Sequence, residues 1–226
     1  MIEAPVPLRP DIATSDARLT AAAALRRLGN GFVAHQVDGA TLDAITAQID
    51  ALLPAVEAAP ERTHTFLVYG PDLFAARLRG EAAAGEQSVF PDCVVSGKAN
   101  PMGMDADLQM VGDEAEMQVT LGAAFEGAPG RAHGGVVAAL IDEVMGLVLS
   151  LAGTPAFTGK LAVTYRAPTP VGVPLRARAR LSHRRGRKIT ITAELHGGDT
   201  LLAEAEGLFI AVEASQFLGA DEPTTA

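Results

Sequence analysis

The stretch Ala132-His133-Gly134-Gly135-Val136-Val137-Ala138-Ala139-Leu140-Ile141-Asp142-Glu143-Val144-Met145-Gly146 decides how the rest of the chain is read. From Val136 to Ala152 nearly every side chain other than Asp142, Glu143 and Ser150 is apolar or glycine, on all sides of a helix. A helix of that kind is expected to be enclosed by the fold. An ionised carboxylate leaves water only at a cost, so the acidic pair is expected to be paired, hydrogen-bonded or protonated. Perturbed carboxylates also cluster at active sites, which makes Asp142 and Glu143 candidates for structure and for chemistry alike. The His-Gly-Gly in front of them falls at the helix start. There the first N–H groups lack intrahelical acceptors and lie at the positive end of the helix dipole. Glycine leaves that backbone open to a ligand.

Working outward, the composition sets bounds. The chain has 226 residues, 48% hydrophobic and 20% charged, enough to bury a full core in an ordered globular protein. Its formal charge of −9 argues against the concentrated basic surface that nucleic-acid binding needs, although local basic clusters can still exist. The single cysteine, Cys93, excludes an internal disulfide framework or a cysteine-rich metal site and suits a reducing compartment. It reads as a small buried hydrophobe. Residues 1–5 have neither a basic region nor a long apolar run, and Val136 to Leu151 is too short and too acidic to span a membrane. A soluble cytoplasmic protein, with no nucleic-acid or membrane partner, is the expectation.

Upstream of the stretch, a proline-containing leader precedes a helix from Asp16 to Leu28, with Ser15 as its N-cap and Gly29-Asn30-Gly31 as its stop. A second helix begins near Asp38 to Thr41. It carries Leu42, Ile45, Ile49, Leu52, Leu53 and Val56 at helical spacing and ends before Pro60, so its apolar stripe is expected to face a partner surface. Phe66 to Tyr69 suggests a strand and Leu73 to Leu78 a turn of helix. His35 and His64 are too isolated to be metal ligands. Short strands are expected at Leu108 to Val111 and Ala115 to Leu121, joined at Gly112-Asp113, before a loop at Gly127 to Gly130. After the helix, Gly153-Thr154-Pro155 stops the chain. Strands follow at Leu161 to Tyr165, Leu175 to Ser182, Ile189 to Leu195 and Leu201 to Val212. Arg176, Arg178 and Arg180 alternate with Ala177, Ala179 and Leu181, which wets one face and buries the other. The fold class is α+β: an antiparallel sheet wrapped around one long helix. Three parts are expected, an N-terminal helical extension over 1–95, the sheet-and-helix domain over 96–215 and a tail over 216–226.

His133-Gly134-Gly135 with Asp142 nine residues after the histidine resembles the hotdog-fold acyl-CoA thioesterases, in particular their PaaI-like branch. Phe125 to Gly130 and Leu161 to Pro168 are similar to that branch as well, and the resemblance covers about half the chain. It implies hydrolysis of an acyl-CoA to a carboxylic acid and free coenzyme A, with no metal or redox cofactor and with coenzyme A present only as part of the substrate. It further implies Asp142 as general base or nucleophile and the Gly134 N–H as the donor that polarises the carbonyl. His133 would orient the loop or hold that donor, and Gly135 would be a second backbone contact. Thr158 matches a residue that holds the attacking water in relatives; on propensity alone it is equally a β-branched residue entering a strand. Several relatives carry Asn six residues before the histidine, where this chain has Gly127, which puts a second substrate donor in doubt. Glu143, about 100° further round the helix, is the rival to Asp142 and could instead pair across an interface or cap a polar pocket.

Gly134 and Asp142 are eight residues apart, about 12 Å along one helix at about 1.5 Å per residue. One carbonyl cannot touch both. Two subunits with these helices antiparallel about a twofold axis would bring the helix start of one beside the Asp142 of the other, giving a homodimer with shared sites and room for a dimer of dimers. The family's enzymes are built in this way. The turn His183-Arg184-Arg185-Gly186-Arg187-Lys188 is either a subsite for coenzyme A phosphates, through Arg185, Arg187 and Lys188, or a solvated hairpin that discourages edge pairing. A hotdog module that binds acyl-CoA without turnover is the alternative to the enzyme. A dehydratase would need a companion histidine that the pattern lacks.

Overall fold

The computed structural model describes residues 15–61, 90–151 and 155–212, with the backbone alone at 150 and 151. The expected strand at Phe66 to Tyr69, the helical turn at Leu73 to Leu78, His64, and the leader and tail lie outside the described residues. Within them the order is α1 (Asp16–Ala34), α2 (Gly39–Glu57), β1 (Asp107–Val111), β2 (Glu114–Thr120), a 3-10 turn (Ala123–Phe125), β3 (Glu126–Ala128), β4 (Arg131–Ala132), α3 (Gly134–Leu151), β5 (Ala156–Tyr165), β6 (Pro174–Arg185), β7 (Lys188–Gly197) and β8 (Thr200–Ala211). Six strands form one antiparallel sheet in the order β1-β2-β6-β7-β8-β5. The α+β hotdog architecture expected from the sequence is present, with α3 lying across β2, β6 and β7.

The sheet's inner face explains why the helix sits so close. Ala177, Ala179, Ala193, Ala203 and Ala205 point inward and are buried, while the bulk comes from the helix, through Val137, Leu140, Ile141, Val144 and Met145. Large side chains against small ones let helix and sheet pack closely. Gly207 takes this furthest: a Cβ there would lie 2.7 Å from the Met145 sulfur and from the Phe209 ring. Each fully buried aliphatic side chain contributes about 1.5–3 kcal/mol. The two hairpins β6-β7 and β7-β8 turn at Gly186 (φ +58) and Gly198 (φ +59), where a side chain would be strained.

Several elements run beyond their expected ends. Strand β5 begins at Ala156, not Leu161, and so includes Thr158. The loop expected at Gly127 to Gly130 is the tip of the small β3-β4 hairpin, which leads into His133. Helix α1 passes through Gly29-Asn30-Gly31 and stops at Ala34. Tertiary contact overrides the local stop signal there. Asn30 Nδ2 donates back to Arg26 O (3.0 Å), and its Oδ1 accepts the Ala124 N–H (3.1 Å) of the 3-10 turn. Helix α2 starts on the Asp38 cap, which accepts the Thr41 N–H, as the sequence led one to expect. Its apolar stripe does not meet the expected partner among the described residues: no α2 residue is buried, and Leu52 and Val56 are 64% and 68% exposed. Helix α3 is likewise less enclosed than expected: Ala138 and Asp142 lie along a partly open flank, and Ala139, Glu143 and Gly146 on a neighbouring face are also only partly buried.

Candidate active site

The open flank of α3 lies beside β5, an edge strand of the sheet, and this pairing places the first half of the site. Thr158 stands opposite the buried Phe209, so its side chain shares the inner face of the sheet, toward α3. Its hydroxyl donates to Asp142 Oδ1 at 2.9 Å. Asp142 Oδ2 has no partner among the described residues, and the carboxylate is partly exposed. The structure therefore brings together two of the residues singled out from the sequence, one from the helix and one from the edge strand.

The second half lies at the start of α3. The Gly135 N–H donates to His133 Nδ1 (3.0 Å), and the His133 carbonyl accepts from Val136 and Val137 (2.9 and 3.1 Å). His133 is thus the helix cap. Accepting at Nδ1 places the proton of the neutral ring on Nε2. Because Gly135 is spent on this bond, the Gly134 N–H is the donor left without an acceptor among the described residues. Tyr165, at the end of β5, donates its hydroxyl to Gly134 O at 2.8 Å, and its phenol lies 3.4 Å from where a Gly134 Cβ would be. A cleft of about 490 Å³ opens here, lined by Gly127, Arg131, His133, Gly134, Tyr165 and Arg166 among others. In the sequence Tyr165 is only one residue of the stretch Leu161 to Pro168. Its place in the site follows from strand length, which periodicity does not give.

Glu143 points away from this cleft. Its Oε1 accepts from the Ser96 hydroxyl in a very short hydrogen bond and from the Cys93 thiol at 3.3 Å. Cys93 is therefore more than a small hydrophobe: burial first, and the Glu143 charge second, hold its thiol above the ordinary range. Of the two options raised for Glu143, capping a polar cluster is the one seen within the chain. Nothing in the sequence around Ser96 signalled this contact.

The basic turn stands apart from Gly134. Lys188 pairs with Ile210, one residue from the Thr158–Phe209 pair, whereas Tyr165 pairs with Ala203. At about 3.3 Å per residue along β8 the turn is roughly 25 Å from the Gly134 end of its own chain. Arg187 Nε donates to Ala211 O (2.9 Å), which caps the end of the sheet. Arg185, Arg187 and Lys188 thus accompany the Asp142 half of the site.

Residues 129–204 match the family model described as thioesterase superfamily. Among curated proteins, the acyl-coenzyme A thioesterases THEM4 of Bos taurus and of Mus musculus are 32% and 33% identical to the chain over 91 residues. That is 39% of this chain in both cases, and 37% and 39% of those proteins. The chain thus matches less than half the length of these relatives. A crystal structure described as a thioesterase superfamily protein is similar over 87% of this chain and 96% of its own, with a TM-score of 0.71 and 26% identity. That span is too long to leave out the N-terminal helices altogether. Over residues 129–204 the chain is therefore similar to the thioesterase superfamily, and its fold is the hotdog fold.

Proposed function

We propose that the protein hydrolyses an acyl-CoA thioester to a carboxylic acid and free coenzyme A. The observation that carries this is the Asp142–Thr158 pair, 2.9 Å apart on the open flank of α3, together with a Gly134 N–H on the same helix that has no acceptor among the described residues. The names of the curated relatives support the substrate class. A water molecule gives one proton toward Asp142 Oδ2 and rests the other on Thr158 Oγ1, whose own proton is committed to Asp142. Its oxygen attacks the thioester carbon while Asp142 takes the proton, or Asp142 attacks directly as nucleophile. The negative charge on the carbonyl oxygen is met by a Gly134 N–H. Collapse breaks the C–S bond: in the general-base route the coenzyme A sulfur leaves with the proton that Asp142 returns, and in the nucleophilic route it leaves as a thiolate and water then cleaves the acyl-aspartyl anhydride, one of its protons going to the thiolate. No metal or redox group is needed.

The separation of about 12 Å between Gly134 and Asp142 requires two chains for each site. We read β5, an edge strand flanked by the open side of α3, as the seam where two protomers pair. Each site then takes Asp142 and Thr158 from one protomer and Gly134, His133 and Tyr165 from the other. The basic turn is retained as a candidate for the coenzyme A phosphates, carried by the Asp142 protomer. Replacing Asp142 with Asn should lower kcat by about 10²–10⁴-fold on a panel of acyl-CoAs, with coenzyme A release as the readout. Unchanged turnover would remove Asp142 from the mechanism. Tight binding of acyl-CoAs by the wild type without any turnover would favour the binding module.

A further inference from the structure

The two adjacent carboxylates of α3 are gripped from different flanks. Asp142 is held by Thr158 of β5, and Glu143, about 100° round the helix, by Ser96 and Cys93 of the loop that precedes β1. Ser96 is only 5% exposed, so its hydroxyl has left water for contacts inside this cluster. The loop is stiff. Ala99 N–H donates to Pro91 O (2.9 Å), Gly97 N–H to Cys93 O (3.0 Å) and Asn100 Nδ2 to Asp92 O (3.0 Å). At Gly97 a Cβ would lie 2.3 Å from the Cys93 nitrogen.

The loop is in turn clamped by α1. The Arg26 guanidinium, 10% exposed, donates to Lys98 O (2.9 Å) and Asn100 O (2.8 Å) and pairs with Asp105 at 3.4 Å. A continuous line of directional contacts therefore runs from the N-terminal helix, through the loop, to the residue next to Asp142. Apolar packing fixes how deeply α3 sits in the sheet, but it is non-directional and sets the rotation of the helix only loosely. Two hydrogen-bonded carboxylates on separate flanks set that rotation.

We infer that Glu143 and Ser96 are positioning residues for the thioester chemistry. The loop at 91–106, held by Arg26, fixes the azimuth of α3 and so keeps the Asp142 carboxylate on Thr158. This rests on the thioesterase reading and gives the N-terminal extension a part in it. A displacement of about 1 Å at a reacting group costs up to about a hundredfold in rate, so a partial release should be visible.

The test uses the full chain with Ser96→Ala, Ser96→Thr and Glu143→Gln, assayed on the acyl-CoA that the wild type hydrolyses fastest, with melting temperatures measured in parallel. Cys93, the only cysteine, reports on the loop through its reaction rate with a disulfide reagent. In Ser96→Ala, kcat should fall about tenfold with KM within about twofold, and Cys93 should react faster. Ser96→Thr should restore both, and Glu143→Gln should fall between. Wild-type kcat in Ser96→Ala overturns the proposal, as does a loss that threonine does not rescue or that merely follows the melting temperature. If the wild type turns over no thioester, the thioesterase reading fails and this role with it. Turnover by the wild type with an indifferent Ser96→Ala sinks the positioning role alone.

Discussion

Gly127, where the sequence departs from the pattern it resembles, is kept small by His133. A Cβ on Gly127 would lie 2.8 Å from His133 Cα and 3.0 Å from its ring, so the β3-β4 hairpin closes onto the histidine only if residue 127 has no side chain. Gly127→Asn is therefore expected to displace the cap and not to add a donor, with lower thermal stability and lower kcat together. Tyr165 lines the same cleft as Gly127. Tyr165→Phe keeps the ring over Gly134 and loses one hydrogen bond of about 1 kcal/mol, so a kcat several-fold lower with unchanged KM is expected from steady-state kinetics. For His133→Ala the loss is a helix cap, about 1 kcal/mol, which thermal unfolding should show as a fall of about 2–4 °C. In all three, the side chain acts on the backbone of α3's first turn. That is why residue types alone could name His133 and Gly134 but could not tell which N–H was free.

Among the elements, β2 and β6 carry the clearest electrostatic signature. Glu116 and Arg178 are direct cross-strand partners on the outer face, and Arg178 donates to Glu116 through Nε and Nη2 at 2.9 Å each. Gln118 and Gln109 also donate to the carboxylate of Glu116, a residue only 6% exposed. The Gln118 bond, then the contacts of Arg178 and Gln109, hold the Glu116 carboxyl below its ordinary value against the opposing pull of burial. A depressed folded-state value means that the stabilisation is present above the unfolded value of about 4.3 and is lost as pH falls through the folded one. Glu116→Gln should therefore be less stable than the wild type near pH 6, with the gap closing toward pH 3 in denaturant titrations. Arg178→Ala, which strips the carboxylate of its charged partner, should cost about 1–2 kcal/mol near neutral pH. The alternation of Arg176, Arg178 and Arg180 with alanine announced this strand, and the apolar run from Val136 announced α3. Element ends were less legible. Whether Asn30 ends a helix depends on Ala124, ninety-four residues away, and whether Thr158 begins a strand depends on Phe209 across the ladder.

At the scale of the whole molecule, the proposed site is divided because a helix rises only about 1.5 Å per residue. Asp142 with Thr158, and Gly134 with His133 and Tyr165, are half-sites on one rigid rod, and no local movement brings them together within a chain. This gives the shared-site reading a test that depends on which chain carries which defect. Asp142→Asn removes one half, and Gly134→Val, with a branched side chain crowding the cleft beside the free N–H, removes the other. Each variant alone should be nearly inactive. Coexpressed with two different affinity tags and purified as the mixed pair, they leave one site with both defects and one with neither, so about half the wild-type activity per dimer is expected. A mixed pair as inactive as its parents would show that each protomer completes its own site, and the paired-edge arrangement at β5 would have to be given up. A protein that elutes as a monomer while retaining wild-type turnover would dismiss it just as surely.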